Sequence, residues 1–256
     1  AMRYMMKVGG KRLRPVLVVV VARALGAQFD PLPAAIAIEC LHNYSLAHDD
    51  LPSIDNSDLR RGKATCHRAY DEATAILVGD ALLTYAFELI AEHYADAPEV
   101  VAQLVQVLAH AASSRRLIGG QVEDIAADHG APDPDLIYIQ VNKTGAMLAA
   151  SLEFGCILAG ADGLTRDAAQ ATGIALGRAY QIVDDILDHT ADEATLGKTQ
   201  GLDARNAKRT WLTEHGLEGS RRDVAKLTKN ALAQSRQIGE IPFLEALIAQ
   251  LEHRAH

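Results

Sequence analysis

Apolar residues recur three and four positions apart in long blocks along nearly the whole chain, and no alternating pattern bounded by turns persists for more than a few residues. A period near 3.6 gives each block one apolar face, and such faces are buried by packing helix on helix, so the chain reads as all-α. Helices are expected over residues 15–25, 33–51, 71–94, 98–118, a short stretch after Gly120, 134–161, 165–189, 220–238 and 242–253. The breaks are short, at Gly26, Pro52, 96–98, 130–132, 160–163 and 197–201, so nothing resembles a linker between domains. A chain of 256 residues is long enough for one large core, and one domain over residues 1–256 is expected. Gly173 and Gly177, four apart on one expected helix, would let a neighbouring helix approach closely.

A formal net charge of -8 argues against nucleic acid as a partner, because phosphate backbones demand a surplus of Lys and Arg on one face. Cys40, Cys66 and Cys156 form no CxxC pair, so neither a disulfide framework nor a zinc knuckle is indicated and a reducing cytoplasm fits best. Basic residues 7–14 followed by the apolar run 16–22 imitate a secretory signal. Arg23 ends that run well short of the roughly 20 apolar residues a membrane helix needs, so a buried helix is the better reading and no membrane span is expected.

The chemistry lies in two acidic clusters. Asp184, Asp185 and Asp188 read DDILD, and at about 100° per residue Asp184 and Asp188 fall about 40° apart on one helical face, with Asp185 beside them. Asp49, Asp50 and Asp55 read DDLPSID, again where a helix should end, and Pro52 frees Asp55 from helical geometry. Carboxylates this close repel one another, by roughly 1 kcal/mol per pair in water and more as the dielectric falls. Paired clusters without Cys suit hard cations that take oxygen ligands, and Mg²⁺ commonly completes its octahedron with substrate phosphate oxygens. The implied substrate is a phosphate ester or diphosphate.

Cations stand close by in sequence: Arg60, Arg61 and Lys63 after the first cluster, Lys198 after the second. A further set, Lys11, Arg12 and Arg14 in GGKRLRP, surrounds an expected helix start, where backbone donors also favour an anion. One diphosphate held through metal and another held without it describe a condensation.

These residues resemble the trans-isoprenyl diphosphate synthases, particularly the bacterial farnesyl diphosphate synthase type. The likeness runs from GGKRLRP at Gly9 through HDDLPSIDNSDLRRGKATCH from His48, GGQVED from Gly119, KTG from Lys143 and YQIVDDILD from Tyr180 to GLDARNAK ending at Lys208. It implies a single polyprenyl synthetase domain, a helical bundle around a central cavity, working as a homodimer. It also implies Asp49, Asp55 and Asp184 as leading magnesium ligands, with Asp50, Asp185 and Asp188 supporting, and three ions when the allylic diphosphate is bound. Arg60, Lys143, Lys198 and Lys208 would hold that diphosphate, while Lys11, Arg14, His42 and Arg61 would cradle isopentenyl diphosphate. Thr144 and Gln181 would face the allylic cation. The family carries helical sequence ahead of GGKRLRP, which here begins at residue 9, so an N-terminal helix is expected to be absent from this sequence.

Two departures put loop closure in question: Lys208-Arg209-Thr210-Trp211-Leu212 stands where the family has Lys-x-Thr-Tyr-Pro, and Val183 replaces a common polar residue. Tyr44, five residues before Asp49, matches the position where an aromatic side chain floors the product tunnel, so the expected product is farnesyl diphosphate made from dimethylallyl or geranyl diphosphate. Geranylgeranyl diphosphate is the alternative. Glu39 and His42 form an ExxH pair of the di-iron type, but no second ExxH exists to complete such a site. A terpene cyclase would not need GGKRLRP, and a non-catalytic partner subunit would not need both acidic clusters.

Overall fold

A computed structural model describes residues 1–131, 133–190 and 209–255. Its helices are α1 (Met2–Lys7), α2 (Leu13–Ala24), α3 (Leu32–Asp49), α4 (Cys66–Ala69), α5 (Glu72–His93), α6 (Pro98–Ala112), α7 (Leu117–Asp128), α8 (Leu136–Ile139), α9 (Ala146–Leu158), α10 (Gly163–Thr190), α11 (Trp211–Ile238) and α12 (Pro242–Arg254). Between α3 and α4 lies a hairpin of β1 (Leu59–Arg60) and β2 (Lys63–Ala64), and a π-helical turn, Gln140–Gly145, joins α8 to α9. The all-α reading holds.

Helix α9 is the hub. Every one of its residues is buried, and its faces divide between two apolar clusters. Met147, Ala150, Phe154 and Ile157 join a cluster with α3, α5 and α6, while Leu148, Leu152 and Cys156 join one with α10, α11 and α12. A helix apolar all round can be stable only when surrounded in this way. Its buried Glu153 is matched by Arg166, at 2.7 Å, and by Gln170, at 2.9 Å.

Helix α10 crosses α9 and the π turn at very short range. A Cβ on Gly177 would stand 2.4 Å from the Gly145 Cα, and one on Gly173 would stand 2.2 Å from the Ala149 Cα. The close approach expected at these glycines is therefore backbone against backbone.

Helices α1 and α4 and the hairpin were not expected, α11 starts at Trp211 rather than at residue 220, and three further stretches differ from the sequence expectation. The helix expected over 98–118 ends at Ala112, because Ser113 is extended (ψ 167°) and α7 starts afresh at Leu117. The one expected over 134–161 is α8, the π turn and α9 in succession. Helix α5, in which no membrane-spanning length was expected, is long and apolar enough by length and composition to cross a bilayer, with a mean hydropathy of 1.6. Its apolar residues instead divide: Val78, Leu82, Ala86 and Ile90 pack against the cluster around α3, while Ile76, Leu77 and Tyr85 face outward.

Candidate active site

The chain builds the two acidic clusters differently. Asp49 ends α3, after which a tight turn brings Asp55 back beneath it, the Asp55 N–H donating to the Asp49 carbonyl at 2.9 Å. Asp184, Asp185 and Asp188 occupy the last turns of α10. The two clusters border one cavity of about 590 Å³ lined by Asp55, Asp184, Asp185 and Asp188 together with Arg60, Lys143 and Gln181. Asp49 is not among the lining residues, but burial first, and then nearby Asp55 and Asp50, raise its carboxyl to about 6 against the pull of Lys143 and Arg60. Burial likewise raises Asp55.

Asp50 takes another part. It is fully buried and accepts from Arg60 through Nε, at 2.8 Å and 2.9 Å, and Nη2, at 2.6 Å. Such a bidentate pair fixes the guanidinium as much as it satisfies the carboxylate. Asp185 is also engaged: its Oδ2 accepts from the Trp211 N–H at 3.2 Å, where Thr210 and Thr213 form a capping box at the start of α11. Sequence reasoning overlooked Asp124, Asp128 and Arg209, which line the same cavity. Asp124 pairs with Lys143, and its signal was the last letter of GGQVED.

A second cavity, about 500 Å³, is lined by Lys11, Arg12, Arg14, His42 and Arg61, with Glu39 among them. Gly9 and Gly10 adopt φ of 108° and 117°, which favour glycine, and the Arg61 guanidinium lies against the loop where a Cβ on Gly10 would stand 2.1 Å away, donating to the Gly9 carbonyl. The hairpin turn Arg61–Gly62, with φ of 55° and 75°, has the two positive values of a type I′ turn. It sends Arg60 to Asp50 and Arg61 to the glycine loop. Burial, then the guanidinium groups of Arg14, Arg61, Arg60 and Arg12, hold His42 well below the usual imidazole range, so it stays neutral. Arg14 Nε is buried without a hydrogen-bond partner, a donor that an anion would satisfy.

The cavities share a wall. Asp184 lines both, and across the wall the Thr144 hydroxyl, on the basic side, donates at 2.8 Å to Gln181 Oε1, on the acidic side. Lys143 and Thr144 both sit in the π turn, a distortion often found at functional sites. Tyr44 lines neither cavity; it is buried on α3, edge-on to His48 at 5.9 Å. Lys198 and Lys208 lie outside the described residues.

The sequence profile of the polyprenyl synthetase family matches residues 1–247. The chain belongs to the polyprenyl synthetase family. It is 44% identical to a farnesyl diphosphate synthase of Geobacillus stearothermophilus over 231 residues, 88% of this chain and 77% of that one. It is 39% identical to a geranylgeranyl diphosphate synthase of Cyanophora paradoxa over 90% of this chain and 78% of that one. In three dimensions it is similar, with a TM-score of 0.84 and 35% identity over 98% of this chain and 86% of the other, to a geranyltransferase from Helicobacter pylori complexed with magnesium and isoprenyl diphosphate. As a polyprenyl synthetase the chain is a prenyltransferase enzyme of isoprenoid synthesis.

Among the described residues, no three carboxylate, imidazole or thiol groups stand close enough to enclose a metal ion. The acidic side chains that line the cavity, Asp55, Asp124, Asp128, Asp184, Asp185 and Asp188, offer carboxylate oxygens alone, the ligand type that magnesium takes together with water and substrate oxygens.

Proposed function

We propose that the chain is a farnesyl diphosphate synthase that joins isopentenyl diphosphate head to tail to dimethylallyl or geranyl diphosphate. The observation that carries this is the shared wall: an acid-lined cavity and a cation-lined cavity meet at Asp184, Thr144 and Gln181. Asp49, Asp55 and Asp184 would hold magnesium, with Asp185 and Asp188 behind them, and three ions would accompany the allylic diphosphate. What magnesium supplies when bound is neutralisation of the diphosphate charge.

Arg60, held rigid by Asp50, and Lys143 grip the allylic diphosphate and stabilise the charge that builds on it as its C–O bond breaks. Gln181 and Thr144 present oxygen atoms near the allylic carbon that turns positive. Lys11, Arg14 and Arg61 hold isopentenyl diphosphate, with neutral His42 as a hydrogen-bonding partner, so that its double bond reaches that carbon. A proton then leaves the new carbon chain, and pyrophosphate is released. A homodimer is supported by the outward apolar residues Ile76, Leu77 and Tyr85 of α5, and a cytoplasmic site by three free thiols.

The test is incubation with Mg²⁺, isopentenyl diphosphate and each allylic starter, followed by product sizing. A fifteen-carbon diphosphate is expected, and Asp184→Ala should remove turnover without unfolding the protein; an unchanged rate in that variant would break the assignment. A twenty-carbon product is the second reading, favoured by the similarity to a geranylgeranyl diphosphate synthase. Burial of Tyr44 in the apolar cluster beneath Asp49 suits a floor that stops elongation. Tyr44→Ala is expected to lengthen the product by five carbons, and an unchanged product profile would remove Tyr44 from that role.

A further inference from the structure

Glu39 is the member of the ExxH pair to which the condensation assigns no task. Its side chain is 7% exposed and lines the basic cavity among Lys11, Arg12, Arg14 and Arg61. A buried carboxylate in an anion seat works against the anion unless it serves the cations. Its partners show which one it serves. Oε1 accepts from the Arg12 guanidinium and, at 3.1 Å, from the Asn43 amide, which also holds the Glu39 carbonyl at 2.7 Å. The other arm of Arg12 donates to the carbonyl of Met6, at the end of α1. Arg12 is thus fixed along the cavity wall by α3 on one side and α1 on the other.

The backbone makes this anchorage matter. Arg12 is the N-cap of α2 in a left-handed conformation, φ 50° and ψ 34°, which side-chain-bearing residues adopt only when their surroundings hold them there. Lys11 precedes it and Arg14 follows two residues later. The direction of both therefore depends on the Arg12 backbone. Arg61, moreover, would repel Arg12 were its charge not matched.

We propose that Glu39 is a positioning residue for the second diphosphate: by clamping Arg12, it sets Lys11 and Arg14 at the geometry that binds isopentenyl diphosphate. The inference rests on the reading of this cavity as the isopentenyl diphosphate seat.

The test compares wild type, Glu39→Gln, Arg12→Met and the double variant by titration with isopentenyl diphosphate in the absence of magnesium, alongside steady-state kinetics. Glutamine keeps the shape and the Asn43 contact but loses the charge. We expect Glu39→Gln to weaken isopentenyl diphosphate binding and raise its KM about tenfold, the size of one lost charge-assisted contact. The KM for the allylic diphosphate and the melting temperature should stay near wild type, and Glu39→Gln should have no further effect in the Arg12→Met background. Equal or tighter binding by Glu39→Gln, or an undiminished effect without Arg12, would overturn the clamp. Wild type that binds isopentenyl diphosphate but makes no prenyl product would sink the proposed function and leave the clamp standing.

Discussion

Arg60 and Asp50 form a pair in which each side chain decides what the other can do. With Asp50 fully enclosed, Arg60→Ala would leave a buried carboxylate without its counter-charge, a loss of about 3–5 kcal/mol in unfolding free energy by analogy with other broken buried pairs. Denaturant titration should show that loss in Arg60→Ala, and replacing Asp50 with Asn in the same chain should recover part of it; a single variant as stable as wild type would refute the pairing. His42 offers a pH signature. Its folded-state pKa lies below its unfolded value, so between the two the unfolded chain binds the extra proton and stability falls as pH drops below about 6.5, by at most about 1.4 kcal/mol per unit from this group. Asp49 acts in the opposite sense, its raised carboxyl keeping a proton near pH 6 that the unfolded chain releases, which adds stability as pH falls through that value. The difference between wild type and His42→Gln in magnesium-free buffer isolates the histidine: the variant should lose less stability between pH 7 and 5, and parallel curves would contradict a neutral His42.

At the scale of elements, what sequence conveys is periodicity, and what it hides is contact. The long blocks that became α3, α5, α10 and α12 were legible because apolar residues recur at three- and four-residue spacing over several turns with no break between them. The π turn was not, because Gln140–Gly145 carries no residue that forbids a plain helix; what distinguishes it is tertiary, its backbone lying against Gly177 of α10 and Gly120 of α7. The hairpin escaped because its turn is Arg-Gly rather than the Asn-Gly that marks two positive φ values. The candidate site divides similarly. The acidic clusters, the basic loop and the Arg60–Arg61 pair stood out by spacing, whereas the commitment of Asp50 to Arg60, of Asp185 to the start of α11 and of Lys143 to Asp124 depends on tertiary approach. Gly177 ties element packing to the site: Gly177→Ala puts a methyl 2.4 Å from Gly145 and must push the π turn, with Lys143 and Thr144, off α10. Overpacking of this kind costs about 1–3 kcal/mol, and turnover should fall with it. Native stability and rate in that variant would contradict the backbone contact.

Across the whole molecule, two apolar clusters share α9 and, around it, two cavities of opposite charge share Asp184. On the proposed assignment, such an arrangement would keep two diphosphates apart while bringing their carbon ends together, which is what a condensation between like-charged reactants requires. The central claim is that one cavity needs a divalent cation to hold its anion and the other does not. Calorimetric titration of isopentenyl diphosphate and of dimethylallyl diphosphate, each with and without Mg²⁺, in wild type, Asp55→Ala and Arg14→Met, tests it most directly. Isopentenyl diphosphate should bind without magnesium and weaken about tenfold in Arg14→Met alone, while dimethylallyl diphosphate should need magnesium and lose its affinity in Asp55→Ala. Isopentenyl diphosphate that binds only with magnesium, or dimethylallyl diphosphate that binds equally well without it, would contradict the account.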